Sequence, residues 1–223
     1  MELYDVMRTA FSAREFTDDP VPDELLYRIL DNARFAPSGG NRQGWKVIVV
    51  RSRESKKKIA ELAIPGAKRY AAQRNAGESP WNPIDPTSVD NKIIENTSSS
   101  PMLQMTYVEA PVVLVVCVDL KLVAAMDQYL NRVGLVGGAS IYTFVWNILL
   151  SARNEGYGGR ITTIPITEEP LLKDYFNIPS HYAVCALIPM GKPVKQIKKL
   201  SRKKVSDFTT FEFFDGEKLL DLL

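Results

Sequence analysis

Residues 111–119 read Pro-Val-Val-Leu-Val-Val-Cys-Val-Asp, and no other stretch restricts the fold as strongly. From Val112 to Val118 no polar residue interrupts the run. A half-exposed strand alternates polar and apolar residues, so this one must be covered on both faces. Two further segments read as buried strands. Trp45 to Val50 is short, apolar and rich in β-branched residues, and Ala183 to Met190 is the last core strand.

The helices that supply the cover are legible from their periodicity. Residues 2–11 place Leu3, Val6, Met7 and Ala10 on one side. A second helix starts at Pro22, where proline suits the first turn, and Asp23 and Glu24 favour its positive end. Leu25, Leu26, Ile29, Leu30 and Ala33 form its buried stripe, and Pro37 stops it. Ser52 to Ala63 reads as a third helix, with Lys56, Lys57 and Lys58 on a solvated face. Residues 121–132 and 168–176 read as two more. Gly134 to Arg153 starts with Gly137-Gly138-Ala139-Ser140 and continues as a helix that is apolar nearly all round. Such a helix is central to the monomer or shared with a partner subunit.

Residues 64–100 differ. Six Pro and Gly residues punctuate them, so they read as a long irregular excursion with a short helix near Ala67 to Arg74. Loops of that length are usually functional or disordered. Trp81, Met102, Met105 and Tyr107 favour a lid over something, against an ordinary surface insertion. The tail, residues 205–223, carries Phe208, Phe211, Phe213 and Phe214 after the core is complete, which points to docking on a partner subunit.

Residues 1–223 read as one domain, with no linker and no internal repeat. A net charge of +2 leaves no bulk footprint for nucleic acid. Cys117 and Cys185 lie inside apolar runs and read as reduced core thiols in a cytoplasmic protein. The N-terminus lacks the pattern of a signal peptide. No segment approaches the ~20 apolar residues that span a bilayer. The single histidine, His181, follows Pro179-Ser180 in a loop. No metal ligand set is visible, and a catalytic triad would have to run through that loop residue.

Chemistry is concentrated in three segments. Ser12-Ala13-Arg14 sets a hydroxyl and a cation just beyond a helix. Residues 36–45, Ala-Pro-Ser-Gly-Gly-Asn-Arg-Gln-Gly-Trp, pack a helix stop, a glycine turn and polar side chains between a helix and a strand. Such a loop lets backbone approach a flat polar ligand. Gly156 to Ile164 reads as a glycine turn into a strand, and within it Gly158 to Thr163 offers an edge of amides. Neither glycine turn fits G-x-G-x-x-G, and no P-loop lysine follows.

In this order the three segments resemble the FMN-dependent nitroreductase family. The resemblance extends through PVPDEL at Pro20 to Leu25, the Gly-Gly start of the apolar helix, and ALIPMGKP at Ala186 to Pro193. It implies an α+β fold, with a mixed, mainly antiparallel sheet surrounded by helices. It implies a homodimer with FMN at the interface, and a C-terminal extension that embraces the partner. The implied chemistry is ping-pong hydride transfer from NADH or NADPH, through FMN N5, to a nitroaromatic, quinone or similar small planar acceptor, with no catalytic protein residue. Alternatives on the same fold are reductive dehalogenation, ene reduction, flavin fragmentation, and non-enzymatic flavin storage. The residues that match the family's cofactor contacts are Ser12, Arg14, Pro37, Ser38, Gly39, Asn41, Gln43, Ile161, Thr162, Thr163 and Arg202, with Lys203 and Lys204 as neighbours of the last. Arg14 matches a position near flavin N1 and O2 or the phosphate, and the Ile161–Thr163 amides match the N5 side. The chain departs from the pattern at Ala10 and Phe11, where the family carries arginine, so one phosphate contact is absent or moved to Arg8. Gly44 stands where proline is common. Arg160 either faces the substrate pocket or points outward.

Overall fold

The computed structural model describes residues 1–220, the side chain of Leu103 apart. Its sheet has four strands: β1 (Trp45–Val50), β2 (Val112–Asp119), β3 (Gly158–Gly159) and β4 (Tyr182–Gly191). They lie in the order β1-β2-β4-β3, and every neighbouring pair is antiparallel. An isolated parallel bridge from Ser12 to Gly159 makes the outer edge mixed. β2 occupies an inner position, as its apolar run requires.

Alternate residues of β2 face two separate cores. Val112, Leu114, Val116 and Val118 join Leu25, Leu26, Ile29, Phe144, Ile148 and Leu149 on one side. Val113, Val115 and Cys117 join Ile59, Leu62, Tyr107 and Leu172 on the other. The first side is covered by α2 (Asp23–Ala33) and α7 (Tyr142–Asn154), with α1 (Leu3–Thr9) behind α7. The second is covered by α3 (Arg53–Leu62), α6 (Pro101–Glu109) and α8 (Glu169–Tyr175). A bulge at Cys185 shifts the β2–β4 register, so Cys185 and Ala186 both turn to the α7 side.

The caps follow local chemistry. Ser52 accepts from the Ser55 N–H at the start of α3, in the role its sequence position implies. Lys56 is not part of a solvated face. It is buried and donates from Nζ to the Ala110 carbonyl at 2.7 Å, closing the C-terminus of α6. Desolvation holds its pKa below the usual lysine value.

Three expectations require correction. Residues 121–132 are not helical; beyond a 3-10 turn at Leu120–Leu122 they form turns. Met126, Tyr129 and Leu130 are exposed, so a helix here would have no core to bury a face against. The Asp127 carboxylate instead organises the loop, accepting from the Leu135 and Val136 amides and from Arg132. The 64–100 excursion is more ordered than its prolines suggest. It holds α4 (Ile64–Asn75) and α5 (Asn91–Asn96), because Pro65 falls in the first turn, where its missing N–H is harmless. Finally, the 158–163 segment is a strand only at its two glycines, since Pro189 offers no N–H to continue the ladder.

In the tail, Phe208, Phe211, Phe213 and Phe214 are exposed and dock on no part of their own chain's core. Residues 221–223 of that tail lie outside the described residues.

Candidate active site

The edge of the sheet beyond β4 builds the site. Gly159 pairs with Met190, Thr162 exchanges both backbone bonds with Leu187, and the Ala13 N–H donates to the Gly159 carbonyl at 3.1 Å. The chain after α1 then runs on beside β4's exit, with Thr17 N–H donating to the Lys192 carbonyl and Val194 N–H to that of Glu15. Ser12, Arg14 and the 158–163 segment therefore come together because one edge holds them. Gly159 is required here by close approach: a Cβ would lie 2.7 Å from the Pro189 carbonyl oxygen, which is backbone and cannot yield.

Two hollows open over this edge and share Ser12. An open cleft of about 410 Å³ is lined by Ser12, Arg14, Arg160 and Ile161 to Ile164, with Tyr70, Ser100 and Met102 on the far wall. A smaller hollow of about 100 Å³ lies between Ser12, Gly158, Gly159, Trp146, Arg153 and Arg202. Arg14, Arg153, Arg160 and Arg202 thus line the two hollows, and no Asp or Glu does. Cations without facing carboxylates favour an anionic ligand. Among the described residues the N–H groups of Ile161 and Thr163 donate to no protein acceptor, so this edge retains free donors. The far wall belongs to the segment read as a lid, through α4, Ser100 and α6.

Thr162 is the buried member of its trio; Ile161 and Thr163 are exposed. Its hydroxyl pairs with the Tyr107 hydroxyl at 2.9 Å, inside the second core. Burial pushes the Tyr107 phenol above its ordinary pKa, against the opposing pull of Thr162 and Arg160. Arg160 is buried and lines the open cleft, and desolvation is the main influence that lowers its pKa.

The 36–45 loop lies elsewhere. The Gly39 N–H donates to Ser140 Oγ at 3.0 Å, and Thr143 Oγ1 donates to the Pro37 carbonyl, tying the loop to the start of α7. Within it, the Gln43 N–H donates to Ser38 Oγ and its side-chain amide to Asn41 Oδ1. Gly40, Asn41 and Gln43 all have positive φ, which gives the turn its tightness and stores strain at the two non-glycine positions. Trp45 anchors it by stacking on Phe144, with ring centroids 4.7 Å apart. None of Pro37, Ser38, Gly39, Asn41 or Gln43 lines the hollows around Ser12 in the same chain.

Arg153 was not singled out by sequence. It ends the apolar helix, donates from Nε to Thr9 Oγ1 at 2.9 Å, and lines the hollow beside Ser12. Arg8, the expected substitute for the absent arginine, is exposed on α1 and lines neither hollow. The signal for Arg153 was its place at the end of the apolar helix that leads into Gly158. Cys117 and Cys185 are desolvated thiols, with pKa values pushed up to about 11 and about 12. They lie outside both hollows, and His181 stands in the turn before β4 beside Tyr182.

Comparison with known proteins gives the fold and the family. Nitrobenzene nitroreductase from Ectopseudomonas oleovorans is 25% identical over 230 residues, which cover 93% of this chain and 95% of that one. Iodotyrosine deiodinase from Nematostella vectensis is 24% identical over 208 residues, covering 92% of this chain and 73% of the relative. A solved structure of iodotyrosine deiodinase bound to FMN and 3-iodo-L-tyrosine superposes with a TM-score of 0.67 at 22% identity, over 96% of this chain and 100% of that one. The family model matched by residues 7–192 takes in both hollows except Arg202, both glycine turns and all four strands, and on that match the chain belongs to the nitroreductase family.

Proposed function

We propose that this chain is an FMN-dependent oxidoreductase that takes reducing equivalents from NADH or NADPH and delivers them to a small planar organic acceptor. The observation that carries this reading is the pair of acid-free hollows over the Gly159–Thr163 edge, lined by four arginines and bordered by free backbone donors. These residues fit FMN: a phosphate suits Arg153, Arg202 and the Ser12 hydroxyl in the small hollow, and a ring suits the open cleft. When bound, FMN supplies the hydride chemistry. Arg14 lines the cleft that would hold the ring, where its positive charge would favour a reduced, anionic form. The amides of Ile161 and Thr163 offer donors that do not titrate. Met102 and Tyr70 give the facing wall apolar surface that restricts water.

The chain acts as a homodimer in this reading. Thr143, tied to the 36–45 loop, and Arg153, beside the small hollow, are about 15 Å apart along α7 at 1.5 Å per residue. Tyr142, next to Thr143, and Trp146, between the two, are exposed, as a partner-facing helix would leave them. A two-fold axis across this face brings Ser38, Gly39 and Asn41 of one copy to the hollows of the other. The phenylalanine tail adds apolar surface for the same contact.

The test is direct. Purified protein mixed with FMN should become yellow, and NADH or NADPH should bleach it anaerobically. A panel of nitroaromatics, quinones and halophenols should then restore the colour. Protein that binds no flavin sinks the proposal. Recovery with halophenols alone would assign the dehalogenase reading instead.

A further inference from the structure

Arg160 has no partner for its charge. It is 7% exposed, and its Nε and Nη2 atoms are fully buried without a hydrogen-bond acceptor. Among the described residues no carboxylate pairs with it; the neutral Tyr107 is the group that favours its charged form, and the like-signed Arg14 opposes it. Its guanidinium lies 5.9 Å from the Tyr107 ring centroid, at the outer limit of a cation–π contact. A guanidinium does not shed its proton to escape burial. An unpaired buried cation is strongly unfavourable, and an unsatisfied buried donor set signals an absent partner. Arg160 also lines the open cleft, so an anion placed there can meet it.

Its position separates it from the other three arginines. Arg153 and Arg202 belong to the small hollow, across Ser12. Arg14 is exposed, lines the open cleft and is hydrogen-bonded to the carbonyl of Ser12, the residue that the two hollows share. Arg160 instead lies against Tyr107 of α6, in the same cleft as the wall formed by Tyr70, Ser100 and Met102. That wall is where an acceptor must lie if the floor is taken by a flavin. We infer that Arg160 receives a carboxylate of the acceptor, and that the preferred acceptors are planar aromatic acids. The planar fork of Arg matches a carboxylate through two parallel hydrogen bonds, which also fix the angle of the ring it carries. This inference rests on the FMN reading for the location of the acceptor.

The experiment compares 4-nitrobenzoate with its neutral counterpart 4-nitrobenzamide, using FMN-loaded wild type, Arg160→Gln and Arg160→Lys. Wild type should prefer the acid at least tenfold in kcat/KM. Arg160→Gln should lose that preference through a raised KM for the acid, with the amide within about twofold of wild type. Arg160→Lys should retain part of it. Calorimetric titration with benzoate and benzamide gives a readout independent of turnover: only benzoate should bind measurably, and not to Arg160→Gln. Melting temperature should hold or rise in Arg160→Gln, since an unpaired buried charge is removed. Equal handling of acid and amide by wild type overturns the inference. So does an Arg160→Gln variant that loses FMN or shifts its spectrum, which would assign Arg160 to the cofactor. Failure of the protein to take up FMN overturns the functional proposal, and benzoate binding then decides the role of Arg160 by itself.

Discussion

Replacing Tyr107 by Phe and Thr162 by Val, singly and together, isolates the side-chain pair that fixes the cleft floor to α6. The two hydroxyls are 2.9 Å apart, Tyr107 is fully buried and Thr162 is 8% exposed, so water cannot readily replace a lost partner. A hydrogen bond between neutral groups contributes about 1 kcal/mol net, but stranding one buried hydroxyl costs about 1–3 kcal/mol. Tyr107→Phe strands the smaller, slightly exposed Thr162 hydroxyl and should cost about 1–2 kcal/mol. Thr162→Val strands the phenol in the core and should cost about 2–3 kcal/mol. In the double variant nothing is stranded, so its loss should fall well below the sum, with a coupling of about 1–2 kcal/mol. Urea unfolding of the flavin-free protein at one fixed concentration reads these differences. Each kcal/mol corresponds to roughly 2–4 °C in melting temperature for a chain of this length. Additive losses, with coupling below about 0.5 kcal/mol, would refute the pairing and with it the attachment of Thr162 to α6.

Tyr142→Glu puts a charge on the exposed face of α7 outside both hollows; sedimentation should show monomers, and FMN retention should fall with dimerisation. A dimer that persists with full flavin would move the interface elsewhere. Cys117 and Cys185 should resist a thiol-specific disulfide reagent at pH 8 in the folded protein and react on unfolding, because few thiolates exist below pKa values of about 11 and about 12. Asp127 is held at about 2 by the Leu135 and Val136 amides and Arg132, so its contribution to stability is complete above the usual carboxylate range and is lost as pH falls from about 4 through about 2. Asp127→Asn should flatten that acid limb and speed amide exchange across residues 120–136; an unchanged limb would mean the carboxylate is not held.

Sequence carried the fold where hydrophobic pattern and burial coincide. The uninterrupted Val112–Val118 run could only be an inner strand, and the Leu25-Leu26-Ile29 stripe could only face a core. It failed where a polar side chain, invisible to periodicity, decides the backbone. Residues 121–132 have helical spacing, yet Asp127 captures backbone amides eight and nine residues ahead and folds the segment into a loop. Lys56 looked like one of three equivalent lysines, and only the carbonyl of Ala110, more than fifty residues away, makes it a buried cap. The candidate site divided in the same way. Ser12, Arg14 and Ile161 to Thr163 are brought together by strand pairing, which sequence order suggested. Whether Arg160 points in or out depends on its packing against Tyr107, more than fifty residues earlier, which periodicity does not reveal.

The separation of the 36–45 loop from the hollows follows from how α7 is built. Its buried face, Phe144, Val145, Ile148 and Ala152, fixes the helix on the sheet, and Trp45 stacked on Phe144 fixes the loop at its start. Neither end can approach the other without unpacking that core, because the helix is a rigid spacer between them. Strain at Asn41 and Gln43 is sustained by hydrogen bonds inside the loop and to α7, not by any contact with the chain's own cleft. A strained polar loop and an acid-free cationic cleft, held apart on one helix whose exposed side is apolar, are complementary halves. In the proposed homodimer, a second copy related by two-fold symmetry would join them twice, burying the Tyr142 and Trp146 face and completing two sites at once.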